Sequence, residues 1–235
     1  MTAIKKTAAQ SFIETNVDFD KTVKINGGET PFSPTPMKGV ERMMFERRGD
    51  EVAIRATSIV RYAPESYFEP HMHPGGEEFI TLEGTFQDEY GDYPKGYYVR
   101  NPVRGTHRPF SDDGCEIFVK LAQLPPEENQ EQVIIDMNTA EWKADGEKAT
   151  KLHLWKSEYE HTDIFRFEAG YEAETTLFDD VAEYFVVNGV ANVNGADYPE
   201  RSWLRFAKGT PITLKTASGA TVYRKIGKGF ARTSL

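Results

Sequence analysis

The chain has 235 residues, with 28 Lys and Arg against 37 Asp and Glu, a formal net charge of −9. No block of basic residues stands out, which argues against a nucleic-acid surface, because phosphate binding needs clustered Lys and Arg. No apolar run approaches the roughly 20 residues that span a bilayer, and a single cysteine cannot build a disulfide framework. The start, MTAIKKTAAQSFIETNVDF, has two lysines but lacks the apolar segment of a signal peptide, so the expected compartment is cytoplasmic.

Leu is scarce, and Val, Ile, Thr, Tyr and Phe fill the apolar runs, a composition that favours sheet. Residues 1 to about 25 are polar and read as an arm or a short added strand. Gly27-Gly28 with Pro31, Pro34 and Pro36 marks a loop before Met43-Met44-Phe45. Residues 53–62 alternate as a strand does, and Ala63-Pro64-Glu65-Ser66 breaks the run. In residues 68–107, His71 and His73 lie one residue apart on an extended segment and so project to the same side. Pro74-Gly75-Gly76 then turns the chain and returns Glu77. After a hairpin at Glu89-Tyr90-Gly91-Asp92, His107 arrives. Three neutral imidazoles and one carboxylate at one point suit a borderline divalent metal. CEIFVKL (Cys115–Leu121) closes this unit, and short strands punctuated by Gly and Pro suggest a barrel or jelly roll. Leu124, Pro125-Pro126 and Glu127-Glu128 open a linker that also holds the strand-like Val133-Ile134-Ile135.

The pattern H-x-H-x3-E-x6-G, ending at Gly84, and G-x5-P-x-x-G-x-H, from Gly96 to His107, resembles the two motifs of the cupin family. More narrowly, PHMHPGGEEFITLEGTFQDEYGDYPKGYYVRNP with GCEIFVKL is similar to the cupin domain of the ChrR-type anti-sigma factors, densely over residues 54–121. The resemblance implies a metal held by His71, His73, Glu77 and His107. Glu78 competes for the carboxylate position, but the spacing to Gly84 favours Glu77. Ser111 stands where many cupins carry an Asn that is not a ligand.

A second unit is legible in the chain itself. Residues 57–121 and 162–226, compared without a gap, share twelve identities, among them Arg61/Arg166, Glu78/Glu183, Gly84/Gly189, Arg100/Arg205, Gly114/Gly219 and Lys120/Lys225. Asp92-Tyr93-Pro94 likewise falls on Asp197-Tyr198-Pro199, as expected of repeated hairpins. With the resemblance, this implies an all-β bicupin of two tandem jelly-roll barrels: residues 1–124 with the metal site, a linker with a lead-in strand at 125–150, and a degenerate barrel at 151–235. The four ligand positions fall on Thr176, Phe178, Ala182 and Ile212, which cannot replace those donors, so the second barrel is expected to bind no metal. Residues common to both halves, such as Arg61, Arg100 and Asp92, are expected to serve the scaffold. Cys115 is expected to pack as a small hydrophobe, and His153 and His161 to be solvated or packed. Phe79 and Tyr98 are candidates to line an apolar cavity.

The expected cofactor is one divalent transition metal (Zn, Fe, Mn or Ni), and residue types do not choose among them. Small cupins that resemble this one suggest a dioxygenase-type metalloenzyme acting on a diketone or enol-like small molecule. The ChrR resemblance implies the alternative, a metal-dependent sensor related to anti-sigma factors of the oxidative-stress response. The His-x3-Cys-x2-Cys zinc motif that grips the sigma factor in that family is not in this sequence, so sigma binding by that route is not expected. The second barrel is expected to pack on the first as a pseudo-dimer, and a homodimer is a further possible assembly.

Overall fold

The computed structural model describes residues 12–125 and 131–227, and the described chain is all β, with no helix. Of the arm expected at residues 1 to about 25, residues 1–11 lie outside the described residues, as does the stretch 126–130 that holds Pro126 and Glu127-Glu128. Two large antiparallel sheets carry the fold. Along its main path the first runs Ile13–Thr15, Val40–Gly49, Ala53–Tyr62, Cys115–Leu121, Glu77–Asp88, Tyr97–Asn101 and Val133–Asp136. The second runs Lys143–Ala144, Ala149–Lys156, Glu160–Phe167, Ala220–Gly227, Val181–Val193, Trp203–Phe206 and Val23–Ile25.

The repeat seen in the sequence is a repeat of backbone geometry. Gly84 and Gly189 both have positive φ, +67° and +79°, where an L side chain is strained. A Cβ at Gly84 would stand 2.0 Å from the Gly114 carbonyl oxygen, and one at Gly189 would stand 2.4 Å from that of Gly219. Gly84 and Gly189 are therefore required by the same close strand crossing, and Gly114 and Gly219 by their own positive φ of +88° and +96°. Gln87 Nε2 donates to Asp92 Oδ1 at 2.9 Å, and Asn192 Nδ2 donates to Asp197 Oδ1 at 2.6 Å, closing equivalent hairpins. Arg61 stacks on Phe32 and Arg166 on Trp142, each 3.8 Å from the ring centre. These shared residues hold the scaffold, as their repetition suggests.

Strand pairing crosses the boundary expected at 124–151 in both directions. Val23–Ile25, from the N-terminal arm, pairs with Trp203–Phe206 in the second sheet, setting Val23 opposite Arg205. Val133–Asp136, expected to lead into the second unit, pairs with Tyr97–Asn101 in the first, setting Val133 opposite Arg100. Each unit lends a strand to an edge of the other, and so covers backbone N–H and C=O groups that would otherwise be unpaired.

Between the sheets lies a core drawn from both units. Phe118 stacks on Phe185 with centroids 4.0 Å apart, and Phe45 stacks on Trp203 at 5.8 Å. A buried ionic layer crosses this core reciprocally. Lys225 Nζ lies 2.6 Å from Glu78 Oε1, and Lys120 Nζ lies 2.6 Å from Glu183 Oε1. Tyr98 Oη donates to Glu78 and Trp203 Nε1 to Glu183, at 2.9 and 2.7 Å, from positions one repeat apart. Arg100 completes the layer, 3.0 Å from Glu78 and 2.6 Å from Glu160. Burial alone would raise the Glu78 carboxyl, but the Lys225 and Arg100 charges hold it down to about 2.

Candidate metal centre

Two short strands position the histidines. His71–His73 pairs antiparallel with Gly105–His107, so that His71 faces His107 and His73 faces Gly105. The turn at Gly75-Gly76 is pressed against the chain at Ala122 and Leu124, where a Cβ on either glycine would come within 2.6 Å of a neighbouring atom. That packing returns Glu77 to the start of its strand beside the histidine pair.

His71, His73 and His107 each offer one ring nitrogen, and the three atoms lie within 4.8 Å of one another. His73 Nε2 and His107 Nε2 stand 2.9 Å apart. Glu77 Oε1 lies 3.7 Å from the first and Oε2 lies 3.6 Å from the second. His73, His107 and Glu77 are buried, and His71 is half-buried at the opening. Glu78, its neighbour in the chain, points to the other face and belongs to the ionic layer. Strand alternation thus separates two adjacent glutamates into two roles.

Other groups set the orientation and charge of these side chains. His107 Nδ1 lies 3.1 Å from Asp88 Oδ2, a partner that assigns the proton to Nδ1 and leaves Nε2 as the free lone pair. Asp88 is itself held by the backbone N–H groups of Tyr90 and Gly91 and by the Tyr93 hydroxyl. His71 Nδ1 donates to the Glu69 carbonyl at 2.8 Å, again freeing Nε2. Asn101 Nδ2 donates to Glu77 Oε2 at 2.8 Å, and Gln132 Nε2 donates to Asn101 at 2.8 Å.

Burial pushes the His73 imidazole down to about 4, so it is neutral at pH 7. Burial would also lower His107, but the Glu77 charge and the Asp88 hydrogen bond hold it above its ordinary value. Burial would raise Glu77, yet His73, His107 and the Asn101 amide keep it below the usual carboxylate range. His73 therefore offers a neutral nitrogen and Glu77 an ionised carboxylate, the forms that ligate metals, whereas a metal at His107 would compete with a proton that Glu77 and Asp88 favour.

A cavity of about 310 Å3 opens on these four side chains. Its walls are largely apolar, including Met37, Val60, Phe68, Met72 and Ile117. Phe79 and Tyr98 do not line it. Phe79 packs in the core with Phe86 and Tyr93, and Tyr98 turns its hydroxyl to Glu78 on the opposite face of the sheet.

In the second unit, Thr176 and Ile212 make the bridge that His71 and His107 make in the first, with reciprocal backbone bonds of 2.8 and 2.9 Å. Ile212 and Ala182 are buried in an apolar cluster against which Phe178 packs. His153 and His161 are partly exposed and converge on Asp163 Oδ1, at 3.0 and 3.2 Å, while Arg224 holds Asp163 Oδ2 at 3.1 Å. This trio is a second group with metal-ligand spacing, away from the positions equivalent to the first site. Cys115 is buried, and burial pushes its thiol up to about 12, in keeping with a packed hydrophobe.

The sequence reading missed Asp88, Asn101, Arg42 and Arg47, all of which shape this site. For two of them a signal existed: Asp88 aligns with Val193 and Asn101 with Phe206, the same polar-to-apolar contrast that marks the ligand positions.

Residues 20–125 match the family model described as the ChrR cupin-like domain. No curated protein sequence matches the chain. Among solved structures, protein Ylba of Escherichia coli is similar over 97% of this chain and 97% of its own, at 12% identity and a TM-score of 0.67. The bacterial pirin YhhW of Escherichia coli, solved in complex with nickel(II), is similar over 88% of this chain and 98% of its own, at 13% identity and a TM-score of 0.65. Salicylate 1,2-dioxygenase from Pseudoaminobacter salicylatoxidans, solved as an adduct with gentisate, is similar over 74% of this chain and 68% of its own, at 11% identity and a TM-score of 0.56. At such identities the likeness is one of fold, and it extends through both sheets, while the family match falls on the unit that carries the histidines. Residues 20–125 thus carry a ChrR cupin-like domain of the cupin superfamily, set in a duplicated β architecture whose fold the whole chain shares with these structures.

Proposed function

We propose that His71, His73, Glu77 and His107 hold one divalent transition metal, and that the protein is a small-molecule metalloenzyme of dioxygenase type acting on a diketone or enol-like substrate. The observation that carries this reading is the cavity of about 310 Å3, into which all four donors face. Its size falls at the lower end of small-molecule pockets, about 300–1,000 Å3. Donor spacing supports a metal. With bonds of about 2.0–2.2 Å, adjacent ligands stand roughly 3.0–3.5 Å apart, against 2.9, 3.6 and 3.7 Å here. Zinc, iron, manganese and nickel all suit the set.

Such a metal would supply Lewis acidity to an enol oxygen and, where redox-active, an electron route to dioxygen. The protein's own groups do the rest. Asp88 holds the His107 Nδ1 proton so that Nε2 stays available, and Asn101 fixes the Glu77 carboxylate in its ionised form. His73, neutral at pH 7, offers its lone pair without first losing a proton. The apolar wall excludes water and receives the carbon skeleton of the substrate. In this reading the unit built on residues 20–125 does the chemistry, and the second unit is a metal-free scaffold partner.

The match to the ChrR cupin-like domain favours a second reading, a metal-dependent sensor whose cavity receives a signal molecule. Elemental analysis of protein purified without a chelating column separates the two. One equivalent of iron, manganese or nickel, lost in His107→Ala and kept in Ile212→Ala, with oxygen uptake on adding diketones or flavonols, supports the enzyme. One tightly held zinc and no turnover favours the sensor. Absence of metal in freshly purified and reconstituted protein overturns both.

A further inference from the structure

The cavity that opens on the histidines is also lined by two arginines, Arg42 and Arg47, both on the Val40–Gly49 strand. They do not belong to the proposed metal ligand set, and they are unequally neutralised. Arg42 Nη2 pairs with Glu51 Oε1. Arg47 is 2% exposed and has no ion-pair partner among the described residues. Its Nη2 donates to two backbone carbonyls, that of Asp50 and, at 3.2 Å, that of Glu51, while its buried Nε has no hydrogen-bond partner. A buried guanidinium met only by carbonyl dipoles is short of counter-charge, and an unsatisfied buried donor is costly. Burial, with the like charge of Arg42 beside it, pushes the Arg47 guanidinium down to about 10, and Glu51 and Asp50 offset only part of that. With Glu51 also lining the cavity and spent on Arg42, Arg47 leaves an otherwise largely apolar cavity with an excess of positive charge, in the same space as a donor set suited to a dicarbonyl or enol oxygen.

We propose that the substrate is an acid: a small β-dicarbonyl or enol compound that carries a carboxylate, which Arg47, seconded by Arg42, receives while the enol oxygens face His71, His73, Glu77 and His107. This rests on the metal reading above for its enol end, and on the arginines alone for its carboxylate end. Guanidinium presents a planar fork matched to carboxylate geometry, so the interaction selects orientation as well as charge. A substrate held at both ends is also positioned for reaction at the carbon between them.

The test compares two probes that share one dicarbonyl and differ in the carboxylate, 2,4-dioxopentanoate and 2,4-pentanedione. Each is titrated calorimetrically into metal-loaded full-length protein. The acid is expected to bind about tenfold more tightly or better, the worth of one charge-assisted hydrogen bond. Arg47→Met is expected to abolish that preference while leaving metal content and pentanedione affinity unchanged. Arg42→Gln, which keeps the Arg47 contacts to the Asp50 and Glu51 carbonyls, is expected to narrow the preference severalfold. Equal affinity for the two probes in the native protein overturns the proposal. So does an acid preference that survives in Arg47→Met and Arg42→Gln alike. Should the protein take up no metal, the dicarbonyl end fails by itself; the same titrations on metal-free protein then decide the carboxylate end, which stands if the acid is preferred through Arg47 and falls if it is not.

Discussion

The two units of this protein share one backbone plan and differ in what the plan presents. Where the first unit places His71 opposite His107, the second places Thr176 opposite Ile212 in the same bridge. Where Asp88 and Asn101 orient the first unit's donors, the second has Val193 and Phe206, both buried in its apolar core. The loss thus extends beyond the four donor positions to the groups that hold donors in place. By contrast, the glycine crossings, the Asp-Tyr-Pro hairpins and the arginines stacked on aromatic rings are kept in both. A duplicated fold of this kind separates what the architecture requires from what the chemistry requires, because each unit serves as the control for the other.

The ionic layer tests that comparison most severely. Lys120→Met and Lys225→Met each take a cation from a buried carboxylate of the opposite unit, and each is expected to cost about 3–5 kcal/mol, with Arg100 still beside Glu78 in the second case. Urea denaturation of both variants would read this. A loss in one but not the other would break the reciprocity of the two pairs. Next come the equivalent positions His107 and Ile212. Ile212→Ala is expected to cost about 2–5 kcal/mol as a core cavity without touching metal content, whereas His107→Ala should remove the metal. Equal metal loss in both variants would mean that the site depends on the whole fold and not on its own donors.

Asp88→Asn sharpens the contrast at a residue that would not touch the metal. It should weaken metal affinity about 10- to 100-fold, read by competition with a chelator, with little change in thermal unfolding. An unchanged affinity would show that the Asp88 contact has no bearing on His107 as a ligand. A pH dependence tests the ionic layer without a substitution. Because Glu78 is held at about 2 in the folded chain, its ion pairs contribute stability that is present above the ordinary carboxylate value of about 4.5 and is lost as pH falls towards about 2. Stability that stays flat across that window would remove Glu78 from the account.

Much of this was legible in the residues. Strand alternation and turn glycines set His71, His73 and Glu77 near one another and the resemblance of the two motifs added His107, while nothing in the pattern marked His153 and His161, which the fold brings to Asp163. The shift of 105 residues exposed the duplication, since both copies need a glycine wherever strands cross too closely for a Cβ. Asp88 and Asn101 were within reach of the same comparison, each being polar in one copy and apolar in the other. Gln132 was not. It reaches Asn101 because the strand after the linker crosses to the first sheet, and nothing in a local pattern records which sheet an edge strand joins. Phe79 and Tyr98 went astray for a related reason. Alternation tells two faces apart, but both faces of their two strands are buried, one in the first unit's own core and one against the second unit.

The sequence by itself determined the all-β class, the duplication, the convergence of three histidines with one glutamate, and the loss of those donors in the second copy. These follow from period, turn chemistry and residue type, from the comparison of the chain with itself, and, for the ligand set, from the resemblance of its two motifs to the cupin pattern. Only the tertiary structure decided the exchange of edge strands, the buried ionic layer between the units and the two arginines on the cavity wall. Each of these depends on which surfaces meet after the sheets have folded. Strands pair through backbone groups that every residue carries, and charges separated by a hundred residues find one another only when packing brings them together.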